Sequence, residues 1–467
     1  AGFRVLQVLH QQNKGSLPVA VRAFTEKLRQ KDSNNKFIDL ANLLLAEWYF
    51  SQAEKLTSIQ DYTRAKDMYR GASTAYNSVR ESNIDPKHHA PRLYKLGWSL
   101  LEIGNVRSGV QVVSQFISKN PDSPLTSSAI AKRAATYQNL QDHDFALKDY
   151  QSIIKDYPKA PEVELAMQQV ALIYGHKKDI PKMIEAYKAL LAKFPNTSGS
   201  DEAYYWIGVG LFDQKKYAES IDPLNKAREM APTKYRDSAG IRIILSHYQL
   251  EKIDPLATEA KRYIQAGKGI LGGDKDKARP QLSPIVLQYL GQKLMDKKDY
   301  GQAEYFLNEL STPEAPEKTP IEVWKALADC RQELKMHEGV IAAYDHYLLQ
   351  TERPSERALA YKNRGISQLA LKRFSPAKES ARECLKNQKE GRINAEGRLL
   401  LGDVYAAEGD LDSAVREYLI VSQVFDDREI TPQAFSKAIK AYESLGKSTE
   451  VKDLQEQLRS RFPDYRE

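Results

Sequence analysis

Cysteine is nearly missing from this chain. With only Cys330 and Cys384 among 467 residues there is no disulfide framework to read, and the redox compartment is left undetermined. Long apolar stretches are missing too: no run approaches the roughly 18 residues that a membrane-spanning helix needs, and the mean hydropathy of −0.57 is that of a water-exposed chain. Nor does one charge dominate. Sixty-nine Lys and Arg stand against 62 Asp and Glu, a formal +7. The two signs alternate, as in Ala377-Lys378-Glu379-Ser380-Ala381-Arg382-Glu383, where a nucleic-acid surface would gather its bases into a stripe beside exposed aromatics.

Motifs that carry chemistry are also lacking. There is no H-E-x-x-H and no G-x-S-x-G. The eight histidines are scattered, and the adjacent pair His88-His89 falls in the polar turn Asp85–Pro91, one or two short of the three or four converging ligands that zinc requires. The glycine-rich segment Gly267–Lys277 invites comparison with a phosphate loop. Its spacing does not match G-x-x-x-x-G-K-[ST], and no strand precedes it. No carboxylate pair stands out for acid/base work. The expectation is a protein without enzymatic activity, cofactor or metal.

What is present is a beat of 37 residues. Gly97, Ala134, Ala171, Gly208 and Leu245 recur at that spacing, and Gly291, Ala328, Gly365, Gly402 and Ile439 resume it. Twelve residues after each anchor sit Gly109, Ala146, Met183, Ser220 and Ala257, then Ala303, Val340, Ala377, Ala414 and Val451, most of them small or β-branched. Sixteen after the anchor an aromatic returns as Tyr150, Tyr187, Tyr344 and Tyr418, and twenty-four after it a proline returns as Pro121, Pro158, Pro195, Pro232 and Pro463. Each unit divides into two amphipathic stretches with a short polar turn between them, for example Ala203–Gln214 and Tyr217–Met230. Small side chains let two helices approach, Tyr and Leu fill the space around the crossing, and proline stops the second helix.

This pattern resembles the tetratricopeptide repeat, W-x2-L-G-x2-Y…A-x3-F…P. The resemblance implies an all-α, right-handed superhelical solenoid of about twelve helical hairpins, built for binding. The period exceeds the usual value of about 34 by three residues. Those residues are expected to lengthen the turn between units, as in Phe194–Asp201.

Along the chain, Phe3–Asn13 with Leu17–Gln30 reads as a degenerate capping pair, followed by an overlong helix from Phe37 to about Thr57. Residues 1–80 are thus irregular capping repeats of an N-terminal lobe spanning 1–266. The anchor spacing then stretches from 37 to 46, which places a Gly/Lys-rich inter-lobe loop at 267–283 and a C-terminal lobe of five units at 284–467. Cys330 lies in a first helix and Cys384 at a small-residue position of the next unit's second helix, where both are expected to behave as small buried hydrophobes, a disulfide between the adjacent repeats being the alternative.

In arrays of the resembled kind the inner face is lined by the first helix of each unit. Counting three before, one after and four after the anchor gives Tyr94, Trp98 and Leu101, then Tyr205, Val209 and Phe212 as a groove for a partner. Curvature burying these side chains against neighbouring helices is the competing reading. Further along, the inner positions turn polar: Lys325, Asp329 and Gln332, then Lys362 and Ile366, then Asp403. Lys325 stands where the carboxylate clamp of chaperone-binding tetratricopeptide domains begins, but Asp329 replaces the expected Asn and repels a C-terminal carboxylate.

The segment Lys193–Gly208, KFPNTSGSDEAYYWIG, resembles repeats of bacterial envelope proteins of the Tol-Pal coordinator and outer-membrane assembly lipoprotein kind, with echoes at Asp156–Pro161 and Arg461–Tyr465. That resemblance implies partners among envelope proteins and a periplasmic or outer-membrane-associated location, a cytoplasmic one being the alternative. It covers about one repeat well, and the coiled coil and lipobox cysteine of those families have no counterpart here. Ala1 opens almost inside an amphipathic stretch with no charged-then-apolar segment ahead of it, as expected either of a processed chain or of a trimmed one. The function expected is a protein-protein interaction scaffold holding a peptide or partner helix in its groove, without nucleic acid or a membrane span. A self-assembling structural subunit and a cytoplasmic adaptor of an enzyme complex are the alternatives.

Overall fold

Helices and the turns and links that join them make up the described residues, 2–268 and 282–466, of the computed structural model. They run in order as α1 (Gly2–Gln11), α2 (Leu17–Arg29), α3 (Lys36–Ser58), α4 (Tyr62–Asn77), α5 (His89–Glu102), α6 (Val106–Lys119), α7 (Thr126–Asn139), α8 (His143–Asp156), α9 (Val163–His176), α10 (Ile180–Lys193), α11 (Ser200–Asp213) and α12 (Tyr217–Met230). Then follow α13 (Pro232–Gln249), α14 (Ile253–Lys268), α15 (Pro284–Asp296), α16 (Tyr300–Leu310), α17 (Ile321–Glu333), α18 (His337–Gln350), α19 (Pro354–Ala370), α20 (Phe374–Asn387), α21 (Gly391–Glu408), α22 (Leu411–Val424), α23 (Ile430–Ser444) and α24 (Ser448–Arg461). These are twelve consecutive helix pairs of an all-α tetratricopeptide-type array. Backbone proximity divides the chain into two compact units, Ala1–Ile243 and Ile244–Glu467. Of the expected loop at 267–283, residues 269–281 lie outside the described residues.

The 37-residue period has a simple composition. In the unit opening at Val163, α9 and α10 each contain 14 residues, the turn Lys177–Asp179 joins them, and Phe194–Gly199 leads to α11. The inter-unit link is therefore shorter than the expected Phe194–Asp201. Ser200, Asp201 and Glu202 already belong to α11, where two carboxylates in the first turn meet the positive end of the helix dipole.

The turn inside each pair is built the same way along the chain. One residue adopts the left-handed conformation: Asn13, Gln60, Gly104, Gln141, Lys178, Lys215 and Glu251, then Lys298, Lys335, Lys372, Gly409 and Gly446. This reversal closes the first helix. The Lys178 N–H bonds the Gly175 carbonyl and the Asp179 N–H reaches back to Tyr174, the paired hydrogen bonds of a Schellman end. In the best-formed turns the next side chain starts the second helix, as Asp179 Oδ1 accepts from Lys182 N–H and Asp410 Oδ1 from Ser413 N–H.

Anchor positions pack where the two helices of a pair approach. A Cβ placed on Gly97 would sit 2.7 Å from Val113 Cγ2, one on Gly291 2.5 Å from Leu307 Cδ2, and one on Gly402 2.5 Å from Tyr418 Cε1. Each of these partners lies sixteen residues on, the position at which buried Tyr150 and Tyr187 recur. Pro121, Pro158, Pro195 and Pro463 each follow a second-helix end as expected. Pro232 departs from that role. It opens α13, because its missing N–H costs nothing in a first turn, and only Ala231 links α12 to α13.

Charged ties reinforce the unit that spans Ala1–Ile243. Asp39 is 1% exposed; its carboxylate takes the Arg80 guanidinium at 2.7 Å, the Arg80 backbone N–H at 2.9 Å and Asn83 Nδ2 at 2.7 Å. Arg133 grips Asp149 in a two-pronged pair at 2.7 Å per bond.

Candidate functional site

Periodicity supplies the inner-face positions of the first unit, and neighbouring helices decide how many remain open. Tyr94 and Trp98 on α5 are half-buried, with ring centres 5.6 Å apart. The Tyr94 hydroxyl is hydrogen-bonded to Ser128 Oγ of α7 at 3.0 Å, and burial lifts its phenol above the usual range against that bond. Lys132, also on α7, holds its ammonium 4.8 Å from the Trp98 ring centre and 2.6 Å from Glu102 Oε1. Stacking of consecutive first helices thus occupies part of this face while its aromatic rims stay accessible.

Leu101 and Val209, expected on the same face, are buried. A Cβ at Gly109 would lie 2.5 Å from Leu101 Cδ2, so Leu101 fills the gap that this glycine leaves on the second helix. Val209 packs with Leu224, Tyr235 and Ile243. Tyr205 and Phe212 are half-buried. Tyr205 stacks on Tyr235 with centres 4.5 Å apart, and Phe212 meets Tyr217 edge-on at 5.4 Å. Trp206, which the position count passes over, is 38% exposed, and its indole N–H reaches Glu202 at 3.4 Å. Its signal was in the sequence, as the large apolar residue at a position that repeat packing leaves free.

In the second unit Lys325 and Asp329 share one face of α17, Nζ to Oδ2 2.7 Å, so the lysine's charge is met within the chain. Asp329 also accepts a 3.4 Å hydrogen bond from the Tyr344 hydroxyl, whose oxygen in turn accepts one from Asn363 Nδ2 at 2.9 Å; burial raises the Tyr344 phenol well above its ordinary range. Lys362 lies apart from that pair in a separate tie, 2.7 Å from Glu396. Around Lys325 and Asp329 opens a cleft of about 780 Å³ formed by α15, α17, the end of α18 and the start of α19. Ile321, Glu322, Tyr347, Glu352 and Glu356 line it without belonging to the inner positions counted from the anchors. They come from the start of α17, the last turn of α18, the α18–α19 connection and the first turn of α19, none of them inner positions of the 37-residue register.

Cys330 and Cys384 are free and buried, and burial pushes their thiols up to about 12 and about 11 respectively. Among the described residues no three of His, Cys, Asp and Glu converge as metal ligands, and no helix is long and apolar enough to cross a membrane.

These features define a helical-repeat protein with accessible first-helix surfaces. Tetratricopeptide-repeat family models match residues 93–123, 129–160 and 184–235. No curated protein matches the chain in sequence. Among solved structures it is similar to MamA, 16% identical over 38% of this chain and 91% of that one, with a TM-score of 0.33. It is also similar to the Naa15/Naa10 complex bound to HypK-THB, 12% identical over 90% of this chain and 64% of that one, TM-score 0.40. A tetratricopeptide repeat protein from Parabacteroides merdae is 13% identical over 75% of this chain and 98% of that one, TM-score 0.28.

Proposed function

We propose that the chain is a non-enzymatic scaffold that binds a peptide or partner helix on its first-helix faces and serves in assembly or maintenance of a bacterial cell-envelope complex. The observation carrying the scaffold reading is a group of first-helix aromatics that keep part of their surface after the repeats have stacked: half-buried Tyr94, Trp98, Tyr205 and Phe212, with exposed Trp206 beside them. Rigid rings with little rotamer entropy to lose are the side chains that dominate partner recognition. Dispersed charge then sets orientation. The envelope assignment, and with it a periplasmic or outer-membrane-associated location, rests on the likeness of Lys193–Gly208 to envelope-protein repeats. In the same reading the Gly/Lys-rich segment 267–283 divides two lobes.

The test is capture of partners from lysate of the source organism by the wild-type chain and by a folded variant with Tyr94, Trp98, Tyr205 and Phe212 changed to Ser. A partner retained by the first and lost by the second establishes recognition by this face, and equal retention refutes it. Cell fractionation followed by blotting tests the location. Recovery with the cytoplasmic fraction alone would remove the envelope assignment and leave the scaffold.

A further inference from the structure

The 780 Å³ cleft of the second unit has a charge opposite to that of the chain around it. Met295, Ile321, Ala326 and Tyr347 supply an apolar floor. Four carboxylates, Glu322, Asp329, Glu352 and Glu356, stand around it against two cations, Lys325 and Arg353. Both cations are already engaged: Lys325 lies 2.7 Å from Asp329, and Arg353 lies 2.9 Å from Glu356. Glu356 is held further by the Thr351 hydroxyl at 2.7 Å and the Tyr347 hydroxyl at 3.1 Å.

Glu322 and Glu352 remain exposed and make no ion pair with a described residue. An adjoining depression shares Met295 and Asp329 and adds Asp296 and Glu333 without adding a cation. The whole chain carries +7. The excess of carboxylates over cations around the cleft therefore runs against the sign of the chain's net charge and draws positive groups to it. A divalent ion does not account for the arrangement, because no three carboxylates or imidazoles among the described residues converge. The volume falls within the roughly 300–1,000 Å³ of ligand pockets, room for a few side chains.

We propose that this cleft receives a short segment of a partner protein bearing Lys or Arg next to an apolar residue, the apolar side chain on Met295, Ile321 and Tyr347 and the cations at Glu322 and Glu352. The inference rests on the scaffold reading and names the chemistry of one of its partners. Exposed ion pairs contribute little individually, so the carboxylates select the sign of the segment and the floor contributes much of the affinity.

The probe is a fluorescein-labelled lysine–leucine peptide, with a glutamate–leucine peptide of equal length for comparison, titrated with the full chain and followed by anisotropy. The lysine–leucine peptide should bind saturably and the glutamate–leucine peptide should not. The double variant Glu322→Gln, Glu352→Gln should weaken binding by about threefold to tenfold and flatten its salt dependence. The charge-matched control Glu450→Gln, Glu456→Gln, on exposed positions of α24, should leave binding unchanged. Filling the floor with Ala326→Trp should abolish it while circular dichroism stays that of the parent.

Equal weakening by cleft and control variants, comparable binding of both peptides, or no binding of the basic peptide would each overturn the proposal. If partner capture by the Tyr94, Trp98, Tyr205 and Phe212 face persists in any of those cases, the scaffold reading stands without it. If that capture fails as well, both fall.

Discussion

Gly208 leaves Leu224 the space that any other residue would take. A Cβ on Gly208 would approach Leu224 Cγ to 2.6 Å and the Leu224 backbone nitrogen to 3.1 Å, and the backbone atom has no rotamer by which to move aside. Gly208→Leu should lower stability by about 1–3 kcal/mol or more through overpacking of the α11–α12 crossing, read by urea denaturation. Gly301→Ala provides the contrast. Nothing lies within 4 Å of that position, so gain of a better helix former should raise stability by about 0.5–1 kcal/mol. Indistinguishable midpoints for Gly208→Leu and the parent would refute the packing account.

The turn lysines carry backbone strain that glycine avoids. Lys215 stands at φ 61° and Lys335 at φ 57°, where a Cβ crowds the following carbonyl. Lys215→Gly relieves that clash, at about 1–2 kcal/mol, and adds unfolded-chain entropy worth about 0.5–1 kcal/mol. A net gain of about 0.5 kcal/mol is expected. Gly104→Ala, at φ 85°, should lose a similar amount, and calorimetric melting of both variants checks the pair.

Asp39 and Arg80 should respond unequally to removal. Arg80→Met strands a carboxylate that is 1% exposed and should cost about 3 kcal/mol. Asp39→Asn leaves an arginine whose side chain is 40% exposed to water, at about 1–2 kcal/mol. Burial acts to raise the Asp39 carboxyl, but the hydrogen bonds from Arg80 and Asn83 outweigh it and hold the carboxyl below its ordinary range. A depressed folded value means that the stability is fully present above the unfolded value of about 3.9 and is lost as pH falls through the folded one. The stability gap between wild type and Asp39→Asn should stay constant from pH 7 to 5 and narrow below about pH 4. A gap that narrows on the alkaline side instead would contradict this sign.

Cys330 and Cys384 should be inert in the folded protein. Burial leaves both thiols protonated at neutral pH and closed to reagent. With Ellman's reagent at pH 8 neither should react on the timescale of a free thiol, and both should react at once in guanidinium. Fast native reaction at either site would place it nearer the surface.

The helix pairs were legible because their signal is local. The beat of Gly97, Ala134, Ala171 and Gly208 marks close crossings in one dimension, and the residue seven after each anchor is the left-handed turn residue, with Glu251 falling one short. Trp324 is an example of what was not legible. It is 1% exposed because its indole N–H bonds the Pro316 carbonyl in the long α16–α17 link, a contact that no period encodes.

By itself the sequence determined twelve helix pairs, their turns and the small residues at their crossings, since each depends on side chains a fixed number of steps apart in one chain. Tertiary structure decided which inner positions are surface. Leu101 disappears into the gap at Gly109, Val209 goes under α13, Lys362 is tied to Glu396, and Tyr94 and Trp98 keep accessible rims beside α7. The cleft at Lys325 and Asp329 was likewise beyond the sequence, because its walls belong to four helices. Exposure is set by what a neighbouring helix covers, and periodicity describes only the helix that carries the side chain.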